Sequence, residues 1–139
     1  EEGLRKTRLL PSGSIIFANC GVSLGFARIL TFDGCIHDGW LAFSDIDDKV
    51  LNKLFILKTL NSITRYFRES APDGTQPNLN TSIMKSFKFI LPPIELQNQF
   101  AKRIQAIEAQ KQQAQASLQK SEDLFNSLLQ RAFKGELTT

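Results

Sequence analysis

Between Pro93 and Gly135 the sequence contains neither glycine nor proline. Those two residues punctuate helices most strongly, so their absence over about forty positions predicts one uninterrupted helix. Leu91-Pro92-Pro93 marks its start. Gly135 supplies a residue suited to the left-handed conformation that closes a helix, and Lys134 favours the negative end of the dipole. At 1.5 Å per residue such a helix spans roughly 60 Å, against an average of about 11–12 residues for a globular helix. A rod of that length is a spacer or a pairing surface.

The apolar pattern favours pairing. Phe100, Ile104, Ile107, Lys111, Ala114, Leu118, Ser121, Phe125, Leu128 and Ala132 recur at alternating steps of four and three. That is the heptad spacing of a coiled-coil seam. Only Lys111 and Ser121 interrupt it; polar seam residues lower stability but fix register. Ala114 allows close approach of two backbones. Arg131, Phe133 and Leu137 remain for another protein surface. Folding back of the helix on its own domain is the competing arrangement. A small domain cannot cover the whole stripe, so a second helix is expected, from another copy or from another part of a longer chain.

The 139 residues leave 1–92 to form one small domain, with 93–139 as the helix. Residues 1–92 hold most of the Phe, the single Trp and the single Tyr. Domains near this size bury only about 60% of their unfolded surface, and the chain opens at Glu1-Glu2-Gly3 without Met. A longer natural protein is expected. The net charge of +3 permits a nucleic-acid partner without requiring one. Cys20 and Cys35 lack the spacing of a zinc site, and the lone histidine offers no cluster. No signal peptide and no membrane-length apolar run stands out, so a reducing cytoplasm is expected.

Within 1–92, Pro11-Ser12-Gly13 reads as a turn before a buried strand at Ile15-Ile16-Phe17. Gly21, Ser23 and Gly25 form a loop. Residues 26–32 read as a second strand, Asp33-Gly34 as a turn, and Trp40-Leu41-Ala42-Phe43 as a third strand. Asp45 or Asp47 is positioned to cap a helix from Lys49 to about Arg68, whose apolar residues include Val50, Leu54, Leu57, Ile63 and Phe67. Pro72-Asp73-Gly74 opens a loop through Asn80, and a short strand is expected at Phe87-Lys88-Phe89-Ile90. The fold class is α+β: a small mixed domain followed by one long helix.

Leu91-Pro92-Pro93-Ile94-Glu95-Leu96-Gln97-Asn98-Gln99-Phe100, the heptad helix, and Leu128-Leu129-Gln130-Arg131-Ala132-Phe133-Lys134-Gly135-Glu136-Leu137 together resemble the specificity subunit of type I restriction-modification enzymes. The Pro11–Phe17 strand, the Gly21–Gly25 loop, the Ile36–Trp40 segment and the Gly74–Asn80 loop are similar to a target recognition domain. The resemblance covers nearly the whole chain, and its C-terminal motif is the more specific part. It implies a reader of one half of a bipartite double-stranded DNA target. The helix would pair antiparallel with its counterpart and set the half-site separation. Methyltransferase subunits, and through them the restriction subunit, would assemble on that scaffold. A rod of roughly 60 Å can hold two readers between one and two turns of DNA apart.

Candidate DNA contacts follow from residue chemistry: amides and hydroxyls for base edges, cations for phosphates. Thr75, Gln76, Asn78 and Asn80 form one set, with Asx-type turns inside their own loop as the structural alternative. Asn19 and Ser23 lie by the glycine loop, which could bring backbone amides close to phosphate or be an ordinary hairpin turn. Arg5, Lys6 and Arg8 form a basic cluster before the first strand, suited to phosphate contact, with a solvated end as the structural alternative. Lys58, Arg65 and Arg68 share one side of the expected middle helix. A structural hydrogen bond is the expected role of His37, and Trp40 reads as core.

Catalytic signatures are largely missing. Pro92-Pro93 lacks the flanking residues of an amino-methyltransferase motif, and no glycine-rich nucleotide loop is present. Neither independent catalysis nor a cofactor is expected. The competing reading is a coiled-coil adaptor whose globular part binds protein and has no DNA specificity.

Overall fold

A computed structural model describes residues 7–43, 46–71 and 78–136. The chain divides into two compact units, Glu1–Gln99 and Phe100–Thr139. The first is mixed α and β. It holds strands β1 (Arg8–Leu10), β2 (Ile15–Ala18), β3 (Ala27–Ile29), β4 (Gly34–Ile36) and β5 (Trp40–Phe43), then helices α1 (Lys53–Ser62), α2 (Thr64–Ser70) and α3 (Thr81–Ser86). Helix α4 (Ile94–Phe133) starts in this unit and forms nearly all that is described of the second.

The strands form two small antiparallel sheets, β1-β4 and β3-β2-β5. All four residues of β2 are buried. That explains a continuous apolar run where a half-exposed strand would alternate. Ile15 faces Ile29 on one side and Phe43 on the other, and Phe17 faces Ala27 and Leu41. The amide of Asn61, on α1, occupies the backbone of β3: its Oδ1 accepts from Ala27 N at 2.9 Å and its Nδ2 donates to Ala27 O at 3.1 Å. An edge strand otherwise leaves such groups unpaired.

The core centres on Phe67, fully buried on α2. Its ring meets Phe17 at 5.0 Å and Phe87 at 4.8 Å, both edge to face. This is the favoured geometry for aromatic pairs.

Several local expectations need correction. Asp33-Gly34 is not the turn: Gly34 opens β4, whose partner β1 the apolar pattern did not reveal, and Asp33 Oδ1 accepts Ser12 N–H at 2.8 Å. The second strand is confined to Ala27–Ile29, because Phe26 N–H donates back to Ser23 in a turn. Asp47 does not cap the helix but bonds Lys49 N–H, and the cap is Asn52, which accepts from Leu54 and Phe55; Asp45 lies outside the described residues. The expected Lys49–Arg68 helix begins only at Lys53 and breaks at Ile63, whose φ of −111° and ψ of 21° re-aim the chain before α2. Phe87–Ile90 is extended, with Phe87 and Phe89 half-buried and Lys88 and Ile90 exposed. It alternates as a strand does, yet no ladder forms on it among the described residues.

Helix α4 runs for 40 residues. Its root is fixed within the first unit. Pro93 O accepts from Leu96 and Gln97 N–H, and the Gln97 side chain is fully buried. Its far end closes at Gly135, where φ is 73°. Gly135 N–H donates to Ala132 O and Glu136 N–H to Arg131 O, the paired bonds of a Schellman motif. No described helix is long and apolar enough to cross a membrane.

Candidate nucleic-acid interface

The expected contact residues fall in different environments. Arg5, Lys6, Thr75 and Gln76 lie outside the described residues. Asn19 is only 5% exposed, so its side chain cannot meet a duplex at the surface. It occupies a junction instead: its N–H donates to Gly39 O at 3.1 Å and its carbonyl accepts from Leu79 N at 2.8 Å. Asn80 is exposed, and its side chain caps α3 by accepting from Ile83 N at 2.9 Å. That local bond is the structural alternative weighed for it. Asn78 is exposed and forms a β-bridge with Cys20.

Ser23 is exposed in the glycine loop. Arg68 holds this loop: Nε donates to Leu24 O and Nη2 to Val22 O, both at 3.0 Å. Its guanidinium and that of Arg28 lie over the Phe26 ring, at 5.3 and 5.5 Å. Arg65 is exposed and bonds Glu69 at 2.7 Å. Lys58 is half-buried on α1. The break at Ile63 separates it from Arg65 and Arg68, so single-helix spacing does not relate the three. Gly25 has φ of 87°, and a Cβ there would lie 3.0 Å from Thr64 Cγ2. Glycine is required at that position by both conformation and space.

A separate surface gathers residues that spacing could not connect. Three segments meet where the backbone of Asn19 bonds Gly39 and Leu79 and Cys20 bridges Asn78. His37 Nδ1 accepts Gly39 N–H at 2.9 Å, the structural hydrogen bond expected of it. Beside this junction opens a groove of about 940 Å³, lined by Arg8, His37, Asp38, Trp40 and Lys85 among others. Trp40 is half-buried on β5 and faces the groove rather than a closed core. Arg8 and Lys85 are exposed, and neither forms an ion pair with the described residues. Lys85 escaped sequence reading because α3 did. Asn80-Thr81-Ser82 after the loop is the cap signal that could have revealed that helix.

The long helix carries its seam in the open. Phe100 is 38% exposed, and Ile107, Leu118 and Phe125 are each near 60%. Lys111, Ala114 and Leu128 are also exposed, and Ile104 is half-buried. The Ser121 hydroxyl donates to Ser117 O at 3.0 Å, so this break in the seam is satisfied within its own helix. Among the described residues no cluster of metal-ligating side chains occurs, and Cys20 and Cys35 are both free thiols.

The described architecture is thus a small mixed domain leading into a long heptad helix. The family model described as the type I restriction modification DNA specificity domain matches residues 1–120, and the chain belongs to that family. It is also similar to the type I restriction enzyme EcoDI specificity subunit of Escherichia coli, with 26% identity over 132 residues. The aligned region covers 91% of this chain and 29% of that protein.

Proposed function

We propose that this chain is a DNA-reading module of a type I restriction-modification system. Its globular unit, including residues 1–92, recognises one half of a bipartite double-stranded target. Its helix, residues 93–139, pairs antiparallel with a counterpart helix and fixes the distance to the second reader. Methyltransferase subunits dock on the paired scaffold and bring the restriction subunit indirectly. Catalysis belongs to those partners, and the module acts in the cytoplasm without a cofactor of its own.

The observation that carries this reading is the extent of the family match. It runs from the globular unit well into the helix, so it supports the reader and the spacer together. The exposed heptad seam adds a physical reason for a second helix. Apolar residues at this spacing pair when a matching stripe is available.

The test is selection from a randomised duplex library by the chain assembled with its methyltransferase subunits. The expected result is an enriched bipartite sequence with a fixed gap, bound with strong salt dependence. Pairing without enrichment at any salt would instead establish the adaptor reading.

A further inference from the structure

We infer that the groove beside the Asn19–Gly39–Leu79 junction is the face on which DNA lies, with Arg8 and Lys85 as phosphate contacts and Asp38 as a base reader. This rests on the proposed reading and assigns it a surface.

Four observations converge there. First, the groove lies next to the described end of the amide-rich loop. Cys20 and Asn19, just after β2, hold Asn78 and Leu79, and Thr81 lines the groove. The helix that follows, α3, contributes Lys85 to the groove. Second, the charge is complementary to a polyanion. Arg8 and Lys85 outnumber the carboxylate of Asp38 among the charged residues that line it. Third, those two cations form no ion pair among the described residues. The competing basic surface, around the glycine loop, has its guanidinium groups partly engaged: Arg68 with Val22 and Leu24, Arg28 with Ala27, Arg65 with Glu69. A cation already bound to its own chain has less to gain from a phosphate. Fourth, Trp40 lines the groove while only half-buried. It offers apolar contact of the kind that reads a thymine methyl group.

The division of labour follows from chemistry. Arg8 stands on β1 and Lys85 in the last turn of α3, so two elements each contribute one positioning charge. Asp38 is acceptor-only when ionised, which suits the amino group of cytosine. Its turn is braced by the His37–Gly39 bond. The close fit there leaves no room for a side chain at Gly39, whose added Cβ would sit 3.3 Å from Cys20 Sγ and closer still to His37.

The experiment uses the chain assembled with its methyltransferase subunits and the randomised duplex library, followed by affinity against salt on the enriched duplex. Arg8→Ala with Lys85→Ala should lower the log–log salt slope by about 2, roughly one unit for each lost phosphate contact, with the preferred sequence kept. Asp38→Asn should leave the slope unchanged and alter the preferred base at one position of one half-site. Lys85→Arg should restore most of the slope that Lys85→Ala removes. The inference is overturned if the Arg8/Lys85 pair binds as the parent does while Arg28→Ala with Arg65→Ala loses slope: DNA is read, but on the glycine-loop face. It is also overturned if the Arg8/Lys85 variant no longer assembles with the methyltransferase subunits in the absence of DNA, since the groove then takes protein. An unsubstituted assembly that enriches no sequence rejects the underlying reading itself.

Discussion

Gln97 Oε1 accepts the backbone N–H of Asn52 at 2.9 Å, and the Asn52 side chain caps α1. The same buried amide donates to Val50 O at 3.0 Å and to Pro92 O at 2.7 Å. Asn52 Nδ2 returns a bond to Asn98 Oδ1 at 2.7 Å. The first turn of the long helix and the start of α1 therefore share one polar joint inside the globular unit, with every Gln97 donor and acceptor engaged.

Replacing Gln97 with Leu should cost about 1–3 kcal/mol, because three part-buried backbone groups lose the fully buried side chain that pairs with them. Urea denaturation of the chain measures this. A loss below about 0.5 kcal/mol would show that water reaches the joint and substitutes for the amide.

Two left-handed glycines offer a comparison, Gly13 in the turn before β2 and Gly25 in the glycine loop. Gly13, with φ of 81°, has nothing within 4 Å of an added Cβ, whereas Gly25 faces Thr64 Cγ2 at 3.0 Å and Thr64 O at 3.1 Å. Gly13→Ala should cost about 1–2 kcal/mol, the conformational penalty alone. Gly25→Ala should cost more, by a further ~1 kcal/mol or above for the displaced helix. Equal melting temperatures for the two variants would mean that α2 yields freely at this contact.

Arg68 should act on loop order rather than on DNA. Arg68→Ala removes two charge-assisted bonds to Val22 and Leu24, worth about 1 kcal/mol together once solvent competition is allowed for. Amide exchange at Leu24, Gly25 and Phe26 should quicken, while the salt slope of DNA binding stays put. A slope reduced by about one with unchanged exchange would return Arg68 to the phosphate contacts.

Ile107→Asp with Leu118→Asp places two carboxylates on the exposed seam. The particle mass from light scattering should fall from the paired to the unpaired form, with helix content changed far less than mass. Retention of the paired mass would locate the pairing surface elsewhere on the chain.

By itself the sequence determined the elements whose signals are local. Forty positions without glycine or proline specify the long helix, and Gly135 closes it because the left-handed conformation penalises any other residue. The apolar run Ile15-Ile16-Phe17 was legible for the same reason, since a strand covered on both faces reads as a continuous apolar stretch, and the half-buried Trp40–Phe43 strand was legible from its aromatic and aliphatic residues. Strands β1 and β4 were not legible. Three residues each, mixed in polarity, they exist only through pairing across more than twenty positions of chain. The break at Ile63 was hidden because propensity continues across it, and only burial of Phe67 between Phe17 and Phe87 requires the chain to turn. The candidate site divides in the same way. Arg8 and the loop ending at Asn80 were visible as chemistry. Tertiary structure decided that Asn19 is a buried junction, that Arg68 braces a loop, and that Lys85, Asp38 and Trp40 share a groove. Contacts between distant segments carry no period in the sequence, and it is those contacts that choose which polar groups are left to meet a partner.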